Sequence, residues 1–184
     1  MFRFLIIILS LAAGVVATTA AVSLLPARKT SPAPSVDSRP LAEAANHTLQ
    51  KLPDYRLFTL DEKELPSQEI SRGRVLLFYM NTGCEACAKE VGVVSRLARD
   101  ASKDLRVYGV GFESPGQLAA FVKESGIEFP VVVDGGSRLM MSLDINRFPT
   151  KLLVEDGVIK RVWYGTTVDE AEFRHQLGIG KGTS

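Results

Sequence analysis

Cysteine, histidine and tryptophan are scarce in this chain of 184 residues, which contains two cysteines, two histidines and one tryptophan. A zinc site built from four Cys and His ligands would need both cysteines and both histidines. The histidines, His47 and His175, lie far from the cysteines in sequence. The composition therefore predicts neither a metal centre nor a cofactor site.

An excess of charge of one sign is also missing, since the formal net charge is +1. The first 29 residues carry three basic and no acidic side chains, which leaves 19 basic and 21 acidic residues in the rest of the chain. A domain so close to neutral offers no basic face for a phosphate backbone. We therefore expect no nucleic-acid partner.

Charge is absent altogether between Phe4 and Leu25. As a helix, these 22 residues would span about 33 Å, enough to cross a hydrocarbon core of roughly 30 Å. The same segment is consistent with a cleaved signal peptide, in which Phe4–Val16 is the apolar part and Ala17–Ser23 contains the cleavage site. Residues 1–25 are thus expected to be a signal-anchor helix or a signal peptide. Either would export the following domain across a membrane if the charged N-terminus stays inside.

The next segment, residues 26–53, is rich in proline, serine and alanine and contains little that could build a core. Such a composition is typical of a partly extended tether. We expect one folded domain over residues 54–184, attached to the membrane through this tether if the N-terminal helix is retained.

Apolar runs and helix signals alternate through the folded domain. They predict an N-terminal hairpin over 55–65, strands over 75–79, 105–112, 129–133, 150–154 and 158–164, and helices over 84–102, 115–126, 137–143 and 167–178. This order predicts an α/β fold in which a central mixed sheet is flanked by helices on both faces.

Three local signals mark element boundaries in this pattern. Ser114 opens a capping box and precedes a proline at the first helical position. Asp156-Gly157 predicts a tight hairpin turn, and Thr167 with Glu170 is expected to cap the last helix.

The feature with the clearest chemistry is the pair Cys84 and Cys87 at the start of a predicted helix. Cysteines three apart on a helix bring their sulfurs within bridging distance. The unpaired N–H groups at the helix start favour the thiolate form of Cys84, the attacking sulfur. Cys87, one turn deeper, can then resolve a mixed disulfide. A purely structural bridge is the alternative, although closing so short a loop stabilises a fold only weakly.

A second feature, Phe148-Pro149-Thr150, comes just before the final hairpin. A proline that opens a strand could serve only to protect a sheet edge, because it lacks an N–H group. It could also adopt a cis peptide bond. Sequence alone leaves both alternatives open.

The chain resembles the TlpA/ResA-like thioredoxin family over roughly residues 55–177. The resemblance lies in the order of elements and in four motifs, which are Cys84-Glu-Ala-Cys87-Ala-Lys-Glu, Phe129-Pro-Val-Val-Val-Asp134, Pro149-Thr150 and Asp156-Gly157. It implies a thioredoxin-like fold and a membrane-tethered thiol–disulfide oxidoreductase of the bacterial envelope, anchored in the inner membrane with its domain facing the periplasm, or secreted into the periplasm if the N-terminus is cleaved. Some members reduce apocytochrome c before haem attachment. The implied partners are a protein thiol or disulfide substrate and a thiol electron donor in the membrane.

The resemblance also implies roles for individual residues. Pro149 would be cis and face the disulfide, and the backbone of Phe148 would bind an incoming peptide. With Gly83 and Thr150, these two residues form the expected substrate-binding set. Glu113 falls where related proteins carry an acidic residue near the cysteines, so it is a candidate for proton handling or partner recognition; the alternative is a solvated residue before a helix.

Departures from the family pattern argue against general thioredoxin activity. Gly83 replaces the usual tryptophan before the first cysteine, Ala86 replaces a proline, and Phe78 occupies the position of the buried acid of thioredoxins. A specialised envelope partner is therefore expected. Two other functions stay open: a peroxiredoxin-like peroxidase, for which the Pro-x-x-x-Thr-x-x-Cys loop is missing, and a metallochaperone or maturation factor, for which His175 is the one downstream histidine.

Overall fold

A six-stranded mixed sheet forms the centre of the domain. The structure, a computed structural model, describes residues 50–101 and 103–179. Its strands are β1 (Leu57–Thr59), β2 (Arg74–Tyr79), β3 (Leu105–Gly111), β4 (Val131–Asp134), β5 (Thr150–Glu155) and β6 (Val158–Tyr164). They lie in the order β1-β4-β3-β2-β5-β6, with β2, β3 and β4 parallel and the other three strands antiparallel to their neighbours.

Five helices pack on the sheet: α1 (Gln68–Ser71), α2 (Glu85–Asp100), α3 (Pro115–Ser125), α4 (Arg138–Ser142) and α5 (Glu170–Gln176), with a 3-10 turn at Gly135–Ser137. The connections β2–α2–β3 and β3–α3–β4 step across the sheet in the same direction. Because such crossovers are right-handed, α2 and α3 pack on the same face, which α5 also covers. The opposite face is covered by α1 and α4. The expected α/β fold with helices on both faces is confirmed.

The continuous apolar run of β2 is explained by its central position. Val75 to Tyr79 are all fully buried, since β2 has a strand on each side and helices on both faces. Leu76 and Phe78 belong to the core beneath α2 and α3, whereas Val75, Leu77 and Tyr79 belong to the core beneath α1 and α4. The period of two along a strand thus assigns alternate residues to two separate cores.

Two of the local signals are confirmed. The Ser114 side chain accepts a hydrogen bond from the Gln117 N–H while the Gln117 side chain returns to Ser114, and α3 ends at Gly126 with φ +63°. At the hairpin between β5 and β6, Asp156 and Gly157 have φ values of +47° and +74°, as a tight primed turn requires.

The structure differs from prediction at the N-terminal hairpin and at the start of β4. The expected second strand of the hairpin is reduced to a single bridge between Phe58 and Glu64, and β1 pairs along its whole length with β4 on its other side. Strand β4 begins at Val131 rather than Phe129, since Pro130 has no N–H to donate to a neighbour.

The predicted cap of the last helix was wrong. Asp169, not Thr167, caps α5 by accepting a hydrogen bond from the Glu172 N–H. Thr167 is unavailable because its hydroxyl and its N–H both donate to the carboxylate of Glu90 in the core.

The predictions for residues 1–25 and for nearly all of the tether fall outside the described residues. Within residues 50–101 and 103–179, none of the helices has both the length and the apolar character needed to span a bilayer.

Candidate active site

Three loops meet at one edge of the sheet. Strands β2 and β3 are parallel, and Tyr79 at the end of β2 lies beside Val110 near the end of β3. Strand β5 runs the opposite way, so its first residue, Thr150, also lies beside Tyr79. The loop after β2 carries Cys84, the loop after β3 carries Glu113, and the loop before β5 carries Pro149. The topology therefore brings together motifs that are widely separated in sequence.

Cys84 and Cys87 form a disulfide, with their Cα atoms 5.2 Å apart. Cys84 has extended backbone angles and is the N-cap of α2, and its Sγ accepts a hydrogen bond from the Cys87 N–H at 3.1 Å. The Cys84 side chain is partly exposed, whereas Cys87 is fully buried. Only the first sulfur can be approached from solvent. The N–H group that it faces would also stabilise its thiolate after reduction.

Glu85 and Lys89, which lie close to the cysteines on α2, form an exposed ion pair at 2.6 Å. The unpaired N–H groups at the start of α2 also favour negative charge at Cys84.

The loop before Cys84 is fixed by hydrogen bonds to its main chain. The Asn81 side chain accepts from the Gly83 N–H at 2.8 Å, and the Asn81 carbonyl accepts from the Cys84 N–H at 3.1 Å. Glu113 accepts from the Thr82 N–H at 2.7 Å with Oε1 and from the Phe112 N–H at 3.2 Å with Oε2. Both oxygens of Glu113 thus bind main-chain groups. This geometry favours a role in holding the Cys84 loop in place over the proton-handling role considered from sequence.

The predicted substrate-binding set lies beside this loop. The Phe148–Pro149 peptide bond is cis, as the family resemblance implies. Gly83 is exposed, and the half-buried ring of Phe148 packs against Phe112 with the ring centroids 5.5 Å apart. Thr150, by contrast, is fully buried and donates its hydroxyl to the Arg147 carbonyl at 2.6 Å. Thr150 therefore shapes the turn, while Gly83 and Phe148 present the accessible surface.

Two charged residues of the site were missed from sequence. Glu90 on α2 and Lys151 on β5 are 2% and 1% exposed, and the Lys151 Nζ lies 2.5 Å from Glu90 Oε1. Burial lowers the pKa of the Lys151 ammonium group, and its contact with Glu90 acts in the opposite direction. In the sheet, Lys151 is the neighbour of Phe78. The buried ion pair therefore lies beside the apolar Phe78.

A signal for this pair was present in the sequence. Glu90 follows Cys87 by one helical turn, on the stripe that Val91 and Val94 continue into the core. Lys151 directly precedes the apolar run Leu152–Val154 of a buried strand. Two opposite charges at core-facing positions indicate a buried pair, because an unpaired charge is too costly to bury.

Taken with the fold, the exposed Cys84, the buried Cys87 and the neighbouring cis-proline define a thioredoxin-like thiol–disulfide oxidoreductase. The chain belongs to the AhpC/TSA family, whose sequence model matches residues 48–162.

Named relatives agree with this class. The chain is 29% identical over 135 residues to the thioredoxin-like protein YneN of Bacillus subtilis, covering 71% of this chain and 78% of the relative. It is 26% identical over 120 residues to the thiol-disulfide oxidoreductase ResA of B. subtilis, covering 64% and 67%. In fold it is similar to a thiol:disulfide interchange protein of the thioredoxin family from Chlorobium tepidum. That match has a TM-score of 0.59 and 19% identity, and it covers 71% of this chain and 94% of the other.

Proposed function

We propose that this chain is a membrane-tethered reductase of protein disulfides in the bacterial envelope. The observation that carries the proposal is the asymmetry of the two sulfurs. Cys84 is partly exposed at the N-terminus of α2, and Cys87 is buried directly behind it. One sulfur is therefore placed to attack a partner and the other to release it.

The reaction starts from the dithiol. The Cys84 thiolate attacks one sulfur of a substrate disulfide, so that the substrate S–S bond breaks, a Cys84–substrate disulfide forms and the second substrate sulfur leaves as a thiolate that takes up a proton. Cys87, after losing its proton, attacks the Cys84 sulfur and releases the first substrate thiol. The substrate gains two electrons and the chain returns to the observed disulfide. A membrane thiol donor then restores the dithiol by the same exchange in reverse.

Substrate binding is assigned to the rim formed by Gly83 and Phe148, next to the buried cis-Pro149. Phe148 makes no main-chain hydrogen bond to another described residue, so its backbone is available to an extended peptide next to Cys84. Gly83 places no side chain over the disulfide. A protein substrate with its cysteine on a projecting segment could approach the sulfur from this side, and apocytochrome c is the substrate class that we propose.

The compartment belongs to the same proposal. An uncharged segment of 22 residues followed by a proline-rich tether supports export and membrane attachment. Oxidised and reduced forms of the Cys84 pair would both be sustained in that compartment, provided that electrons are delivered across the membrane.

Trapping of the mixed disulfide tests the mechanism. In the full chain, Cys87→Ser should accumulate a covalent complex with a disulfide-containing substrate, because no resolving thiol remains. Cys84→Ser should accumulate none. The reverse pattern would overturn the assignment of the attacking sulfur.

The reduction potential of the Cys84–Cys87 disulfide tests the direction of electron flow. A value near the thioredoxin value of about −270 mV supports a reductase, whereas one near about −120 mV belongs to a strong oxidant. The latter result would overturn the proposed direction and leave the exchange mechanism standing.

Neither alternative function is favoured by a specific observation. A peroxidase would need the Pro-x-x-x-Thr-x-x-Cys loop, which neither cysteine has. For a metallochaperone, His175 is an exposed residue of α5, and residues 50–101 and 103–179 contain no group of three or more His, Cys, Asp and Glu side chains suited to a metal.

A further inference from the structure

The buried Glu90–Lys151 pair is the centre of a network that joins three parts of the site. Lys151 Nζ donates to Glu90 Oε1 at 2.5 Å, to the Gly165 carbonyl at 2.7 Å and to the Thr167 hydroxyl at 3.1 Å. The Thr167 hydroxyl in turn donates to Glu90 Oε1, and the Thr167 N–H donates to Glu90 Oε2 at 2.9 Å. All three ammonium protons have acceptors, so the geometry of the network is closely determined.

Each end of this network leads to a functional element. Glu90 lies one helical turn after Cys87 on α2, so it is attached to the helix that carries the disulfide. Lys151 lies two residues after Pro149. Gly165, which receives a hydrogen bond from Lys151, donates its own N–H to the Pro149 carbonyl at 2.7 Å. The chain of contacts therefore runs from the cysteine helix, through Lys151 and Gly165, to the cis-proline.

Stability alone does not account for an ion pair at this position. The free energy needed to remove two charges from water is about as large as the free energy gained from their attraction. Apolar residues of similar volume often give the same stability or a higher one. An ammonium group held by three acceptors does, however, fix the relative position of the elements that supply them. A pair of apolar side chains would pack in the same space without directional bonds.

We propose that Lys151, through Glu90 and Gly165, is a positioning residue that holds the cis-Pro149 segment in register with the Cys84 sulfur. This inference rests on the proposed function, since the register matters only if a polypeptide binds along Pro149 while its sulfur reacts with Cys84. A shift of about 1 Å between groups that must meet in a transition state can cost on the order of a hundredfold in rate.

The test uses the neutral double variant Glu90→Gln/Lys151→Met in the full chain. The amide oxygen introduced by Glu90→Gln can still accept from the Thr167 N–H, and methionine fills the volume of the lysine stem, so no unpaired charge is left in the core. Exchange is measured with two probes. One is a peptide whose single cysteine is in mixed disulfide with glutathione, and the other is dithiothreitol, which is too small to reach the Phe148 backbone while it reacts with Cys84.

The expected result is a loss of exchange rate with the peptide but not with dithiothreitol. The double variant should reduce the peptide disulfide with a kcat/KM at least about tenfold below wild type, while its rate with dithiothreitol and its unfolding midpoint stay close to wild type. A general structural defect would slow both probes alike. The matched control is Arg96→Met/Glu170→Gln, which removes an ion pair from the same helix α2 outside the site and should leave both rates unchanged.

Two results would overturn the positioning role. The first is a peptide rate in the double variant equal to that of wild type. The second is an equal loss with both probes, which would place the effect on the cysteines themselves. A wild-type chain that reduces the peptide no faster than a free dithiol would instead overturn the proposed function.

Discussion

Two carboxylates are buried on opposite faces of the same sheet, and they are stabilised in different ways. Glu90, beneath α2, is paired with the ammonium group of Lys151. Asp134, at the end of β4, accepts hydrogen bonds from the Leu139 N–H at 3.2 Å and the Met140 N–H at 2.8 Å, with the Tyr79 hydroxyl 3.5 Å away. Burial raises the pKa of Asp134, and the hydrogen bonds from α4 act against that rise.

The difference follows from what each acid connects. The two shorter hydrogen bonds of Asp134 come from N–H groups five and six residues along the chain, at the start of a short helix, so its main role is to hold that turn. Glu90 binds groups that are 61 and 77 residues away in sequence, and these belong to the segments around the cis-proline. A full ion pair is thus found where distant parts of the active site meet. Neutral donors suffice where a single turn has to be closed.

The largest effect is expected from breaking the ion pair on one side only. Lys151→Met leaves the Glu90 carboxylate buried without its cation, and such a change typically costs about 3–5 kcal/mol. Urea denaturation of the oxidised chain measures the loss. Lys89→Met, which removes the cation of an exposed pair on the same helix, is the control and should leave the midpoint nearly unchanged. A loss for Lys151→Met no larger than that of the control would contradict the comparison.

A smaller effect is expected on the opposite face. Asp134→Ala removes the acceptor of two main-chain N–H groups, and unsatisfied buried groups cost about 1–3 kcal/mol. Asp134→Asn should recover part of this loss, because its amide oxygen can accept from α4. If alanine and asparagine are equally destabilising in urea denaturation, the N–H groups of α4 are not what holds this residue.

Glu113 extends the comparison to a half-buried carboxylate at the rim of the site. Glu113→Ala should lower the free energy of unfolding by about 1–2 kcal/mol through loss of a charge-assisted hydrogen bond to Thr82. It should also slow peptide exchange, because the loop before Cys84 loosens. Glu113→Gln keeps an acceptor and should lose less than half as much in both measurements. A rate that falls equally for both variants would instead favour proton transfer by the carboxyl group.

The smallest effect, and the most dependent on pH, is expected at Tyr79. Burial, followed by the charge of Asp134, raises the pKa of its hydroxyl well above the ordinary value. The folded state therefore keeps the proton more strongly than the unfolded state does. The stabilisation that this difference in pKa gives the folded state is complete below about pH 10 and is lost as the pH rises towards the folded-state pKa.

Tyr79→Phe should consequently cost less than about 1 kcal/mol at pH 7, and its deficit relative to wild type should shrink above pH 10. Denaturation midpoints of the two proteins between pH 7 and pH 11 measure this trend. A deficit that grows with pH would show that the tyrosine is not buried beside a carboxylate.

Much of the fold could be predicted because its signals are local. The capping box at Ser114, the Asp156-Gly157 turn and the apolar run of β2 each depend on a few neighbouring residues, and all three lie where they were expected. The helix start at Cys84 is of the same kind. It places one sulfur at the N-cap and the other one turn deeper, whatever the rest of the chain does.

The parts of the fold that could not be predicted depend on contacts between segments that are distant in sequence. The sequence could not show that β1 pairs with β4, a strand more than 70 residues further along the chain. It also could not show that the Thr167 side chain binds Glu90 and leaves the cap of α5 to Asp169. Strand pairing and buried hydrogen bonds depend on which surfaces meet after the chain has folded, and no local propensity encodes that.

In the active site, too, some features follow from local sequence and others from tertiary contacts. By itself, the sequence determined that two cysteines stand one helical turn apart at a helix start and that a proline opens a later strand. Only the tertiary structure brought that proline, Glu113 and the Glu90–Lys151 pair to the same end of the sheet as the disulfide. It did so because β5 runs antiparallel to β2 and begins where β2 ends, whereas β3 runs parallel to β2 and ends beside it.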